Sequence, residues 1–210
     1  MNAVPPGSTR SSAVGAWVCV PTTQVTRAMG DVHPQGNPHM NLDPGAGRQI
    51  AGRVLAALEA LDPASKDAYE KRYAAYAAKL AEAEQRWASL GEQWKGQKVV
   101  GYHQEFNYLA QAYGLTIAGA IEVKPGIPPT PNHIAELVSM MKKDGVHVIV
   151  TAIWSNNDRT ARVAEATGAK IVELPNMCGG LPGTDTWIGM MDVMHGRLSE
   201  AFGTSGKSKE

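Results

Sequence analysis

Apolar positions recur with a helical period between Arg48 and about Trp94, and after Gly96 strand and helix patterns alternate. Arg48 to Leu61 carries Ile50, Val54, Leu55, Leu58 and Leu61 at helical spacing, which predicts an amphipathic helix. Asp62-Pro63 ends it, and Pro63 suits the first turn of whatever follows. From Ala64 to about Trp94 there is no proline, and no glycine before Gly91. Ala, Glu, Lys and Gln dominate this stretch, and Tyr69, Tyr73, Tyr76, Leu80, Ala83 and Trp87 share one face. The stretch predicts one helix of roughly thirty residues, about 45 Å long at the rise of an α-helix: a rigid strut along or between lobes, with a coiled coil, its heptad filled by Tyr and Ala, as the alternative.

Past Gly96 short apolar runs alternate with helical patterns. Strands are predicted over 98–102, 115–121, 146–153 and 170–174. The run VHVIVTAI (146–153) is apolar almost throughout, as in a parallel strand buried on both faces. Helices are predicted over 105–113, 131–144, 157–167 and 185–202, with Gly114 and Gly168 closing the first and third. Four alternations of strand and helix imply an α/β fold: one parallel four-stranded sheet with helices on both faces. Residues 1–30 show neither period and are rich in Pro, Ser, Gly and Thr, so an irregular start is expected. The tail, 204–210, is expected to fray.

Composition narrows the function classes. Of 210 residues, 43% are hydrophobic and 19% charged, a globular balance. Twenty Lys+Arg offset twenty Asp+Glu, so nothing electrostatic points to nucleic acid. Two cysteines exclude a disulfide framework and a CxxC zinc finger. No run of about eighteen apolar residues is present, so no transmembrane helix is expected. The stretch Ala13 to Val20 is too short for a signal-peptide core and no cleavage site follows it.

Nucleotide and acyl-transfer motifs fail: there is no GxGxxG after the 98–102 strand, no GxxxxGK[ST] and no GxSxG. Cys178 beside Gly179-Gly180 reads as a plain thiol, or as a nucleophile with no signature histidine to activate it. The histidines say more. His39 lies in GNPHMNLDP, between a proline turn and a helix start. His103 follows the first strand of the α/β unit, in GYHQEFNYLA. Ligands of such folds bind outside the carboxyl ends of the strands, so His103 is expected to face a crevice. His147 and His195 read as surface or packing residues, and His133 as exposed in a first helical turn. Glu105, the nearest candidate base, is expected on the solvent face.

GDVHPQGNPHMNLDP, then two helices, then YHQEFNYLAQAYGL, IEVKPGIPPTPNHIAELVSMMKKDGVHVIV and ATGAKIVEL together resemble the zinc/manganese-type substrate-binding proteins of bacterial ABC transporters. The likeness covers about Met29 to Phe202. It implies two α/β lobes joined by one long helix. In its terms 1–30 is an irregular start, 31–63 a remnant of a first lobe, 64–95 the linking helix, 96–203 the carboxyl-terminal α/β lobe and 204–210 a tail.

The resemblance also implies a site. The family holds one divalent metal between its lobes with four side chains. His39 matches the second ligand, in NPHxxLDP, and His103 the third, in YHxxFxY. Imidazole suits Zn²⁺ and accepts Mn²⁺, and because the neutral ring is the ligand, binding weakens with acid. The first ligand falls in a loop that this chain is expected to lack, along with the export signal. Where the fourth, an Asp, is expected stands Leu174-Pro175-Asn176, with Glu173 and Asp185 as substitutes nearby. Asp185 also reads as the N-cap of the last helix. A Glu common after the third strand is replaced by Ala152-Ile153-Trp154. The function so implied is metal binding for uptake of zinc or manganese. The partner is the membrane permease of an ABC transporter, the location periplasmic or extracellular, and no catalysis is expected. The alternatives are a remnant that binds no metal, and a metal- or thiol-dependent enzyme.

Overall fold

The computed structural model describes residues 36–124, 126–155 and 158–203. The irregular start, the tail and His33 lie outside the described residues. The chain forms six α-helices and four strands in this described part: α1 Ala46–Leu61, α2 Lys66–Gly91, β1 Lys98–Gly101, α3 Asn107–Tyr113, β2 Thr116–Ala120, α4 Pro131–Asp144, β3 Val148–Ala152, α5 Asp158–Thr167, β4 Lys170–Leu174 and α6 Trp187–Gly203. All strand pairs are parallel, in the order β2-β1-β3-β4. The α/β fold expected from the alternation is therefore present.

The sheet works by strand alternation. Val99, Val148 and Val150 point to one face and join Leu80, Ala83 and Trp87 of α2 and Met190, Met191, Met194 and Leu198 of α6. Val100 and Ile149 point to the other and join Leu137 and Met141 of α4 and Val163 of α5. Every residue of β3 is buried, which accounts for its unbroken apolar run. Helix ends are set by local chemistry. Thr130 Oγ1 accepts the His133 N–H at 3.2 Å, Pro131 opens α4, and Gly145 closes it in the left-handed region at φ 65°.

Two expectations change, and the facing of one predicted stripe is settled. The strut is α2 alone, 26 residues or about 39 Å, flanked by 3₁₀ turns at Pro63–Ser65 and Glu92–Trp94. Only its carboxyl-terminal half is deeply buried, at Leu80, Ala83, Trp87 and Gly91. The last helix begins at Trp187, where Thr186 and not Asp185 is the cap: its Oγ1 accepts the Gly189 N–H at 3.1 Å. On α1 the apolar stripe faces out, with Val54 53% and Leu61 83% exposed; α1 packs on α2 by another side.

His195 of α6 is fully buried. Its Nδ1 lies 2.6 Å from the Met191 carbonyl, which can only accept, so this nitrogen carries the hydrogen. Nε2 then accepts from the Tyr113 hydroxyl at 2.7 Å. The ring stacks on Trp87 at 5.1 Å and 17°. Burial pushes its pKa down to about 4, against a weaker upward pull from the Met191 carbonyl and Asp192. The folded chain thus binds fewer protons than the unfolded chain below pH 6.5, and this stability is present above that pH and lost on the way down to about pH 4. The loss amounts to about 3 kcal/mol at most. Urea unfolding at neutral pH and near pH 4.5 is expected to show this fall in the wild type and a smaller fall in His195→Gln. Equal slopes in both chains would show that His195 does not set acid stability.

Candidate metal centre

His39 and His103 come from distant parts of the sequence, and a polar latch brings them together. The segment before α1 carries His39 in a 3₁₀ turn, His39–Leu42. Asn37 shapes its entry: Asn37 Oδ1 accepts the His39 N–H at 3.0 Å. The same segment is tied to the strand ends across 67 to 146 positions of sequence. Asn37 Nδ2 donates to the Gln104 carbonyl at 2.7 Å, and the Tyr108 hydroxyl donates to the Asn37 carbonyl at 2.7 Å. Asn41 Nδ2 donates to the Asn176 carbonyl at 3.2 Å, and Trp187 Nε1 to the Asn41 carbonyl at 2.8 Å. Trp187 reaches that far because its ring lies against Gly47, where any Cβ would overlap it. Leu42 and Ala46 anchor the segment in the core.

His103 is placed by β1. Gly101 ends the strand with the chain folding back so closely that a Cβ there would meet the His103 carbonyl oxygen at 2.7 Å. The imidazole stands at the carboxyl end of the sheet, 22% exposed, with Nδ1 2.9 Å from Glu122 Oε2 just past β2. The two imidazoles meet edge to face, centroids 5.6 Å apart at 81°.

Glu105 is 3% exposed and not on the solvent face. Phe106 and Leu109, equally buried, pull the first turn of this segment into the core and carry Glu105 with it. Its Oε2 accepts from Asn176 Nδ2 at 3.0 Å, while Oε1 and Asn176 Oδ1 are buried without a hydrogen-bond partner. Desolvation pushes the carboxyl above its ordinary range. His103, the Asn176 amide and the Ala152 backbone N–H pull it back, and Glu122 adds to the rise. Asn176, at the place where a carboxylate is expected, thus acts as the amide partner of a carboxylate.

The other sequence candidates stay apart. Among the described residues no group of three or more His, Cys, Asp and Glu is arranged to hold a metal ion, so neither Glu173 nor Asp185 joins the imidazole pair. Glu173 is half-buried on β4, Asp185 exposed, and Cys178 exposed with a free thiol. His133 is half-buried, its Nε2 on the Ala120 carbonyl at 2.8 Å, and not exposed as expected. His147 is exposed.

A family model described as "Zinc-uptake complex component A periplasmic" matches residues 8–201. The high-affinity zinc uptake system protein ZnuA of Bacillus subtilis (strain 168) is 27% identical over 164 residues, which are 77% of this chain and 51% of that protein. The zinc-binding lipoprotein AdcA of Streptococcus pneumoniae (strain ATCC BAA-255 / R6) is 32% identical over 117 residues, 56% of this chain and 23% of AdcA. This chain therefore spans about half or less of these relatives. Among solved structures, the substrate-binding protein FpvC of Pseudomonas aeruginosa in complex with Mn²⁺ superposes with a TM-score of 0.71 at 23% identity, over 82% of this chain and 63% of FpvC. The fold is shared with it.

The buried pair beside the imidazoles is open to a stability test. Asn176→Leu removes the amide that satisfies Glu105 and leaves the carboxyl without it. A loss of about 1–3 kcal/mol is expected from chemical denaturation monitored by circular dichroism. A change within about 0.5 kcal/mol, the range of an ordinary surface substitution, would mean that the amide contributes nothing to Glu105.

Proposed function

The chain belongs to the zinc-uptake complex component A family, and from that premise we propose that it binds a divalent metal, Zn²⁺ or Mn²⁺, as cargo for an ABC uptake transporter. The ion is held by His39 and His103.

The edge-to-face ring pair carries this reading. An imidazole bound at 2.0–2.1 Å puts its ring centroid about 3.2 Å from the ion. Two such rings at a tetrahedral angle have centroids about 5.2 Å apart. The observed 5.6 Å is close to that spacing, with the rings turned so that they do not stack. The latch supports the reading too, because the bonds of Asn37, Asn41, Tyr108 and Trp187 hold the His39 turn against the strand ends. Two neutral nitrogen donors suit a borderline ion such as Zn²⁺ and tolerate Mn²⁺. The relatives named for zinc and the neighbour solved with Mn²⁺ fit the same pair of cations. The implied partner is the membrane permease of the transporter. The place of action is the periplasm or the cell exterior, as the family's description and the lipoprotein relatives suggest.

A competitive chelator titration of Zn²⁺ tests the reading. His39→Ala and His103→Ala are each expected to weaken binding at least tenfold, about 1.4 kcal/mol or more, while Cys178→Ala leaves it unchanged. Equal affinity in the wild type and both histidine variants would remove the metal from this pair. It would favour the alternative of a family member that binds none.

A further inference from the structure

Glu122 is the second residue past β2, and both of its carboxylate oxygens are in use. Oε2 lies 2.9 Å from His103 Nδ1, and Oε1 accepts the Gly126 N–H at 3.1 Å. The backbone fixes where this carboxylate can reach. The parallel pairing of β1 and β2 runs on beyond the strands, with the Ile121 N–H on the Gly101 carbonyl at 2.9 Å and the Glu122 N–H on the Tyr102 carbonyl at 2.8 Å. His103 and Glu122 therefore leave two locked strands side by side. The turn after Glu122 is closed by the Ile127 N–H on the Lys124 carbonyl at 3.0 Å. The pair is shielded, with the two side chains 22% and 17% exposed.

An ionised carboxylate only accepts hydrogen bonds, so the hydrogen of this bond sits on His103 Nδ1. A neutral ring with Nδ1–H has its lone pair on Nε2, and that is the nitrogen such a ring offers to a cation. In free histidine the other tautomer, with Nε2–H, is the more populated one, and it presents a hydrogen where the metal must bind. We infer that Glu122 is a positioning residue for metal binding: it holds the His103 ring in the Nδ1–H form with Nε2 as the donor atom. This inference rests on the metal-binding role proposed for His103. It adds a residue that touches no cargo and acts only through the ring. Glu105, the other nearby carboxylate, is bonded through Oε2 to Asn176, and the hydrogen bond of His103 Nδ1 goes to Glu122.

The test has two readings on the same ¹⁵N-labelled chain. Long-range ¹⁵N–¹H spectra of the metal-free protein at about pH 8, where ordinary imidazole is neutral, report the tautomer. Chelator competition reports Zn²⁺ affinity. The wild type is expected to show His103 with Nδ1 protonated. Glu122→Ala is expected to move the ring toward Nε2–H and to weaken Zn²⁺ about 10–100-fold. In Glu122→Gln the amide oxygen still accepts from Nδ1, so the tautomer is kept and affinity falls by less than in Glu122→Ala. Circular dichroism melts verify that the variants fold, and Glu136→Ala on exposed α4 surface is the control that changes neither reading. An Nε2–H ring in the wild type, or a Glu122→Ala chain with unchanged tautomer and unchanged affinity, overturns the inference. If the wild type binds Zn²⁺ no better than His103→Ala, the metal role fails instead, and the tautomer comparison still decides whether Glu122 sets the ring.

Discussion

The site depends on the latch that fastens the His39 turn to the strand ends. Asn37, Asn41, Tyr108 and Trp187 do this with bonds that all end on main-chain carbonyls. Carbonyls of a folded chain are fixed in place, so the latch works as a template and not as a set of mobile side-chain pairs. A net hydrogen bond contributes only about 1 kcal/mol, and four together make a few. That is enough to hold a short segment whose apolar anchors are Leu42 and Ala46. The imidazole spacing is thus set by backbone geometry on both sides: a latched turn for His39, a glycine-ended strand for His103.

Much of the fold was legible because the sheet imposes a simple pattern. β3 is buried on both faces and reads as an unbroken apolar run, and the alternation of strand and helix after Gly96 gives the order of the α/β elements. The less legible parts are those where tertiary contacts override local pattern. The α1 stripe of Ile50, Val54, Leu58 and Leu61 has helical spacing, which shows an amphipathic helix but not which face the described core meets. Glu105 looked solvent-facing because carboxylates usually are, and Phe106 and Leu109 decided otherwise. Asp185 looked like a cap, as Asp often is, yet the last helix starts two residues later and Thr186 is the residue in position.

The two histidines were found from motif resemblance, and their neighbours were not. Nothing in IEVKPG marks Glu122 as the partner of His103, because the pairing arises only when β2 lies beside β1 in register. Asn37 and Trp187 are polar or aromatic residues of no special pattern, and their roles are invisible until the turn and α6 are in place. Residues that hold a site by long-range bonds carry no short-range signature. Residues that would touch the cargo do, because their chemistry restricts their type.

The His195 cluster gives the molecule an optical property. Trp87 is stacked on the imidazole with its indole N–H on Asp192, and Trp94 lies tilted beside it, both buried, while Trp154 is 56% exposed. Indole emission shifts to shorter wavelength in apolar surroundings, and a charged imidazole against an indole quenches it. Among the described residues the buried pair Trp87 and Trp94 is therefore spectrally distinct from the exposed Trp154, with the half-buried Trp187 between them. The buried pair senses whether α6 is seated on α2, and Trp154 reports the solvent at the end of β3.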